Sequence, residues 1–357
     1  MMDNSVIYIR IAITIAILLT GLVFPKSKII FVIQATWLVV LSSFNTLSGD
    51  WSGNEGLYNL TTSAKNVYGM LAVFFHSQNA SFVVFNGTLT FIATLLILYI
   101  ILKYSANPNM VLSLWYIFPL VDNIVQKRAY YALGIQIVAI ALLFDKKHKI
   151  RNTILFEVLT LVAYQIHSMS IYYVTLPFFL MLDKKWQKRC AMVIVIVGFA
   201  LRGELQVLVN SIINNDAKTD LYFNTLAQTS SFTHTIFWAG WQIVQLLMII
   251  YMNKQKELNG KQSIIESLNW WGLTLIPFYS FNPVFTRVFR AVMLYNYIEI
   301  TNKYKREGFL VNKLGATVVF LQIIFLLISF YIFDISNSTA DMMVYPVFRN
   351  NWILGLF

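Results

Sequence analysis

Long apolar runs alternate with short polar segments along the chain, and the runs are too long and too evenly apolar to be strands. A helix needs about 20 residues to cross a bilayer core. Twelve runs reach or approach that length, over roughly 6–24, 29–47, 82–102, 109–125, 128–144, 151–167, 169–182, 190–211, 233–252, 264–281, 284–302 and 312–333. The spacing predicts an all-α, polytopic transmembrane bundle of about 12 spans. The seventh run is short and is expected to tilt or stop early. Between the second and third runs, Leu57 to Ala80 mixes polar residues with Tyr58, Val67, Met70, Leu71, Phe74 and Phe75. That stretch is predicted as an amphipathic or re-entrant helix on the outer face. No linker rich in Pro, Gly or Ser divides the chain, so a single integral membrane domain over 1–357 is expected. No internal repeat marks the chain as an inverted-repeat transporter.

Composition narrows the class. Of 357 residues, 58% are apolar and 12% are charged, too few charges to coat a water-facing surface. This excludes a soluble enzyme, a disordered tail and a secreted disulfide scaffold; the lone Cys190 has no partner for an internal bridge. The net charge of +11 would suit nucleic acid, but its distribution does not. Basic residues fall in alternate loops: Lys26 and Lys28; Lys103; Lys146, Lys147, Lys149 and Arg151; Lys184, Lys185, Lys188 and Arg189; Lys254, Lys256 and Lys261; Lys303, Lys305, Arg306 and Lys313. All lie on one side if every run crosses, which places both termini outside and accounts for the charge without a nucleic-acid partner.

The remaining basic residues include arginines where hydrocarbon makes them costly. Arg128 opens the fifth run, Arg202 lies in the outer half of the eighth, and Arg287 and Arg290 sit three apart at the outer start of the eleventh, facing one way. Single interfacial arginines often snorkel to headgroups. Four at one outer depth, against the charge bias, favour an anion site; the guanidinium fork suits a phosphate or pyrophosphate. Glu204, two residues from Arg202, is a candidate to orient it.

His167 ends the sixth run in Tyr164-Gln165-Ile166-His167-Ser168. Its imidazole either bonds a helix end or takes a proton from a sugar hydroxyl. His76 and His234 are weaker outer candidates, and His148 lies in a basic loop. The outer loop from Asn45 to Tyr58 carries Asp50, Trp51, Glu55 and Tyr58. Acids accept hydroxyl hydrogen bonds and aromatic faces stack on sugar rings, so these form a candidate sugar platform; a polar turn with interfacial aromatics is the plainer reading. Gln165, Tyr279 and Asn282 are further polar candidates. There is no Walker loop for ATP, no histidine and cysteine cluster with metal-ligand spacing, and only a lone mid-span acid, Glu157.

Gln126-Lys-Arg128-Ala-Tyr-Tyr-Ala-Leu-Gly, then a basic loop, then Ala163-Tyr-Gln-Ile-His167-Ser168, resembles the EpsG family. These are Wzy-like membrane proteins of bacterial exopolysaccharide and capsule clusters. The outer loop from Gly49-Asp50-Trp51 to Tyr58 and the late Phe285-Thr-Arg287-Val-Phe-Arg290 also fit, although the family is richer in tyrosine in the early loop. The resemblance implies a GT-C-like polysaccharide polymerase. Such an enzyme joins oligosaccharide repeat units carried on undecaprenyl diphosphate, at the outer face of the bacterial cytoplasmic membrane. It moves the growing chain to the non-reducing end of the next unit. Arg128, Arg287, Arg290 and His167 are then expected at the catalytic centre, with Arg202, Asp50, Glu55, Trp51, Tyr58 and Glu204 binding substrate. No cofactor or metal is expected. The implied partners are the lipid-linked substrate, the bilayer, a chain-length-regulating membrane protein and a flippase. The resemblance leaves the catalytic base open between His167 and an acid. A flippase of lipid-linked oligosaccharide and a polysaccharide ligase are the alternatives. A membrane acyltransferase fits less well, because His148 is loop-borne.

Overall fold

The computed structural model describes residues 4–145, 147–213, 232–253, 260–281, 283–307, 310–336 and 340–355. In chain order the helices are α1 (Asn4–Val23), α2 (Lys28–Ser43), α3 (Trp51–Leu60), α4 (Val67–Ser77), α5 (Phe82–Tyr104), α6 (Pro108–Ile117), α7 (Leu120–Val125), α8 (Lys127–Leu142) and α9 (Lys149–Ile166). After a 3-10 segment (Ser168–Thr175) come α10 (Leu176–Met181), α11 (Lys184–Ala200), α12 (Arg202–Ile213), α13 (Phe232–Asn253), α14 (Gly260–Leu273), α15 (Ile276–Tyr279) and α16 (Thr286–Asn302). A minimal antiparallel pair, β1 (Arg306–Glu307) and β2 (Leu310–Val311), precedes α17 (Lys313–Phe330) and α18 (Val344–Arg349).

The protein is all-helical, and four of the described helices are long and apolar enough to cross a membrane: Ser5–Val23, Phe82–Tyr104, Phe232–Asn253 and Lys313–Ile335. They match the first, third, ninth and twelfth apolar runs. Among the described residues the other runs form helices that are shorter, divided or less apolar, so the structure shows four long spans and not about twelve. Pro119 separates α6 from α7, because a proline has no N–H to continue the ladder. The eighth run breaks at Leu201, between α11 and α12, and the tenth divides ahead of Pro277. The seventh becomes a 3-10 segment followed by a six-residue helix.

The stretch predicted as one helix over Leu57 to Ala80 is also divided. The Gly-rich segment that reads as a loop is helix α3, ended where the Thr61 amide bonds the Tyr58 carbonyl. A new helix, α4, then starts at an Asn66 cap whose side-chain oxygen accepts from the Gly69 amide at 2.8 Å. Aromatic packing holds α3: Trp51 meets Phe82 edge-on at 4.8 Å, and Tyr58 lies 4.7 Å from Phe85.

The chain divides into two compact units. The first comprises Met1–Ala141, Leu161–His167 and Tyr297–Phe357. Here α1, α2, α5 and α6 pack together. Gly21 leaves room at one approach, since a Cβ there would lie 2.0 Å from Gln34 Nε2 and 2.4 Å from Ser113 Oγ and would displace those side chains. Those two side chains bond each other at 3.0 Å, which pairs the Gln34 amide nitrogen inside the bundle. The C-terminal segment is stitched to the N-terminal elements. Arg10 donates to the carbonyls of Phe348, Arg349 and Leu354, and Asn45 donates to those of Pro346, Val347 and Asn350.

The second unit comprises Leu142–Thr160 and Ser168–Asn296. In it, α13, α14 and α15 pack around Trp241, Trp271, Tyr279 and Phe289. Asn269 and Asn296 exchange reciprocal amide bonds at 2.7 and 2.9 Å inside this core.

Candidate functional site

In the first unit, α3 supplies a polar face. Residues 51, 54, 55 and 58 recur at helical spacing and share one side. Trp51 Nε1 donates to Glu55 Oε2 at 3.1 Å. Asn54 Nδ2 donates to the Asp50 carbonyl at 2.6 Å, which turns its amide oxygen outward to accept from Arg128 Nε at 3.1 Å. The Arg128 guanidinium carbon lies 5.9 Å from the centre of the Tyr68 ring. The fork is thus held at its Nε and supported on one face. Among the described residues its two terminal nitrogens meet no acceptor.

Lys127, beside Arg128, is buried, 1% exposed. It donates to Asn45 Oδ1 at 3.1 Å and lies 5.6 Å from the Trp51 ring centre. Asp50, at the start of α3, is exposed and gives this ammonium its only nearby charge of opposite sign among the described residues. The Tyr68 phenol is pushed up to about 12 by burial, partly offset by Arg128, so it is a neutral donor at any physiological pH.

His167 follows the last turn of α9, its amide bonding the Ala163 carbonyl at 2.9 Å, and its ring is half-buried. Two residues earlier, the Gln165 side-chain oxygen accepts from the Val67 amide at 3.1 Å, which fixes the end of α9 to the start of α4. Tyr68, on α4, and Ile166, on α9, belong to one buried cluster with Trp51, Tyr58, Phe82, Phe85 and Tyr131. The first unit therefore gathers Asp50, Trp51, Glu55, Tyr58, Arg128 and the helix end bearing His167.

Not all of these take the expected form. Trp51 and Tyr58 are core rings, not an open platform: Phe82 and Phe85 pack on them, His76 lies 4.1 Å from the Tyr58 ring, and the Tyr58 hydroxyl donates to the Ala80 carbonyl at 2.7 Å. Burial wins here because an aromatic ring gains more from the apolar cluster than from water. Asp50 and Glu55 remain accessible at the edge.

The second unit holds Arg202, Glu204, Arg287 and Arg290. Arg202 donates from a terminal nitrogen to the Ser280 carbonyl at 2.7 Å and lies 5.5 Å from the Phe281 ring centre. Among the described residues no hydrogen bond or ion pair joins Glu204 to it. Positions two apart on a helix point away from each other, and both residues are exposed. Arg287 is half-buried and Arg290 is 5% exposed, three apart at the start of α16. Tyr279 is buried and donates to Gln242, as a packing residue does. His234 lies on α13. Asn282, Lys146, Lys254 and Lys256 lie outside the described residues.

Sequence reasoning missed Asn54, Tyr68 and Lys127. Asn54 shares the 51-54-55-58 spacing, which becomes a signal once the segment is read as helix. Lys127 stands beside Arg128 in the stretch from Gln126 to Gly134. Tyr68 carries no signal beyond following the Asn66 cap. Among the described residues no group of three His, Cys, Asp or Glu is placed to hold a metal ion.

A helical fold with several apolar candidate spans, bearing arginines among its buried helices, defines an integral membrane protein. The profile of the EpsG family matches residues 28–347, and the chain belongs to this family of membrane proteins linked to exopolysaccharide biosynthesis. No curated protein and no solved structure matches it.

Proposed function

We propose that this protein is a polysaccharide polymerase of GT-C-like type, acting on lipid-diphosphate-linked repeat units at the outer face of the bacterial cytoplasmic membrane. The observation that carries the reading is Arg128. Its Nε is held by Asn54, its face lies over Tyr68, and its terminal nitrogens are left for a ligand. A fork fixed in this way meets phosphate oxygens without reorganising, where charge grows as a glycosyl–diphosphate bond breaks. Family membership supports the exopolysaccharide setting, and the one-sided basic loops support the outer orientation.

In this reaction the bond between the donor's anomeric carbon and its diphosphate oxygen breaks. An acceptor hydroxyl oxygen bonds that carbon, and its proton passes to a base. The diphosphate leaves on its carrier lipid. Arg128 stabilises the leaving diphosphate. His167, or Asp50 or Glu55 at the edge of α3, receives the proton. Trp51 and Tyr58 act by holding α3 in place. The reaction has two diphosphates to hold, one on the donor and one on the acceptor. No metal is needed for a leaving group already bound by guanidinium groups.

The test is a single-protein assay. Purified protein in nanodiscs receives undecaprenyl-diphosphate repeat units, with a chelator and without nucleotide sugars or ATP. A ladder of longer lipid-linked glycans is expected. No elongation by folded protein on competent substrate would overturn the polymerase reading and leave a ligase or a flippase.

A further inference from the structure

Tyr68 is the one phenol of the aromatic cluster around Arg128 whose hydroxyl the protein does not use. It lies on α4 with its ring against Phe85 at 5.5 Å and is 5% exposed. Its neighbours are matched: Tyr58 donates to the Ala80 carbonyl, Tyr131 donates to Asn86 Oδ1 at 2.6 Å, and Tyr130 bonds Thr94 at 3.0 Å. The Tyr68 hydroxyl is buried and has no hydrogen-bond partner among the described residues. Buried polar atoms are almost always matched, so an orphan calls for an occupant.

The neighbouring group has the same shortage. Arg128 lies over the Tyr68 ring, and Asn54 engages only its Nε. The Asn54 amide is itself fixed by its bond to Asp50, so the fork is set from behind. What is missing beside Tyr68 and Arg128 is an acceptor with several oxygens and negative charge. Among the described residues no ion pair of Arg128 with an aspartate or glutamate is seen.

We infer that Tyr68 is a substrate-binding residue that holds, together with Arg128, one phosphate of a lipid-linked diphosphate. The hydroxyl donates to one non-bridging oxygen and the guanidinium to others. A planar cation with a neutral donor beside it fits a phosphate better than a carboxylate, which has fewer oxygens to share. The inference rests on the proposed role of Arg128 and adds a residue and a donor type to it.

The experiment is calorimetric titration of the full-length protein in nanodiscs with geranyl diphosphate. The variants are Tyr68→Phe, Arg128→Gln and, as a control, Tyr130→Phe. Wild type and Tyr130→Phe are expected to bind alike. Tyr68→Phe is expected to bind about tenfold more weakly, and Arg128→Gln not measurably. The ligand-free melting temperature of Tyr68→Phe is expected to be no lower than that of wild type, since only an unmatched hydroxyl is removed; a purely structural tyrosine would lower it. Inorganic pyrophosphate and geranyl diphosphate are compared as competitors. Weaker competition by the inorganic ion supports a phosphate borne by a lipid, and equal competition supports a phosphate site that ignores the lipid. If Tyr68→Phe binds as wild type while Arg128→Gln does not bind, the Tyr68 inference is overturned and the Arg128 site stands. If wild type binds no diphosphate, the Arg128 reading falls and the inference with it.

Discussion

Arg10 and Arg128 belong to the same unit, and both lie on helices of apolar character, yet their surroundings differ in kind. Arg10 is 7% exposed, and its two terminal nitrogens are taken by the carbonyls of Phe348, Arg349 and Leu354 at 2.7–3.0 Å. Arg128 is half-buried and gives the protein one donor, its Nε. The first guanidinium closes a structural joint, because its donors satisfy carbonyls that a short helix, α18, and the segment after it leave open. The second is oriented by an amide and left open on its far side. An arginine in an apolar helix is costly in either case, and the saturation of its donors separates the two uses.

That contrast is open to test, and the largest effect is expected at Arg128. Arg128→Ala should lower the initial rate of glycan elongation by about 10²–10³-fold, the size typical of removing one preorganised donor set at a growing charge. Its melting temperature should stay close to wild type, which differential scanning fluorimetry in detergent checks. Arg128→Lys should recover little of the rate, since an ammonium cannot reproduce the fork.

Arg10→Leu should show the reverse pattern. Three carbonyls lose their donor, and the unfolding free energy in mixed micelles should fall by about 3 kcal/mol. The specific activity of the fraction that remains folded should change far less than for Arg128→Ala. Asn45→Ala tests the same joint from the other side. It removes the donor to Pro346, Val347 and Asn350 and the acceptor for buried Lys127, and should cost about 2 kcal/mol in the same measurement. A smaller effect is expected from Asn54→Ala. It frees the Arg128 Nε without removing the charge, so the elongation rate should drop by about tenfold with little change in melting temperature. A stability loss at Asn54 as large as that at Arg10 would erase the distinction between the two arginines.

The sequence showed much of the architecture and only part of the site. Apolar runs located the four long helices because a water-facing chain rarely keeps such hydropathy over 18 or more residues. Hydropathy overestimated continuity elsewhere, since the breaks at Leu201 and before Pro119 sit within runs that remain apolar on both sides. The segment from Trp51 to Leu60 reads as a turn because of Gly53 and Gly56. Tertiary packing of Trp51 and Tyr58 on Phe82 and Phe85 overrides that preference and makes it a helix. Arg128 and His167 were visible as residues out of place, and the structure brings the α3 face to Arg128 and ties the helix end bearing His167 to α4. Trp51 and Tyr58 were visible as aromatic rings in a polar segment, and their burial against Phe82 and Phe85 is a property of the packing that spacing does not carry. Tyr68 was invisible because an unmatched hydroxyl is a property of three dimensions and leaves no mark on spacing.

The central claim is that Arg128 acts on the substrate and not on the fold. The most direct measurement is the elongation rate of purified Arg128→Gln in nanodiscs, with lipid-linked repeat units in excess and its melting temperature matched to wild type. A loss of about 10²–10³-fold at unchanged stability is the predicted result. Elongation at the wild-type rate would contradict the account.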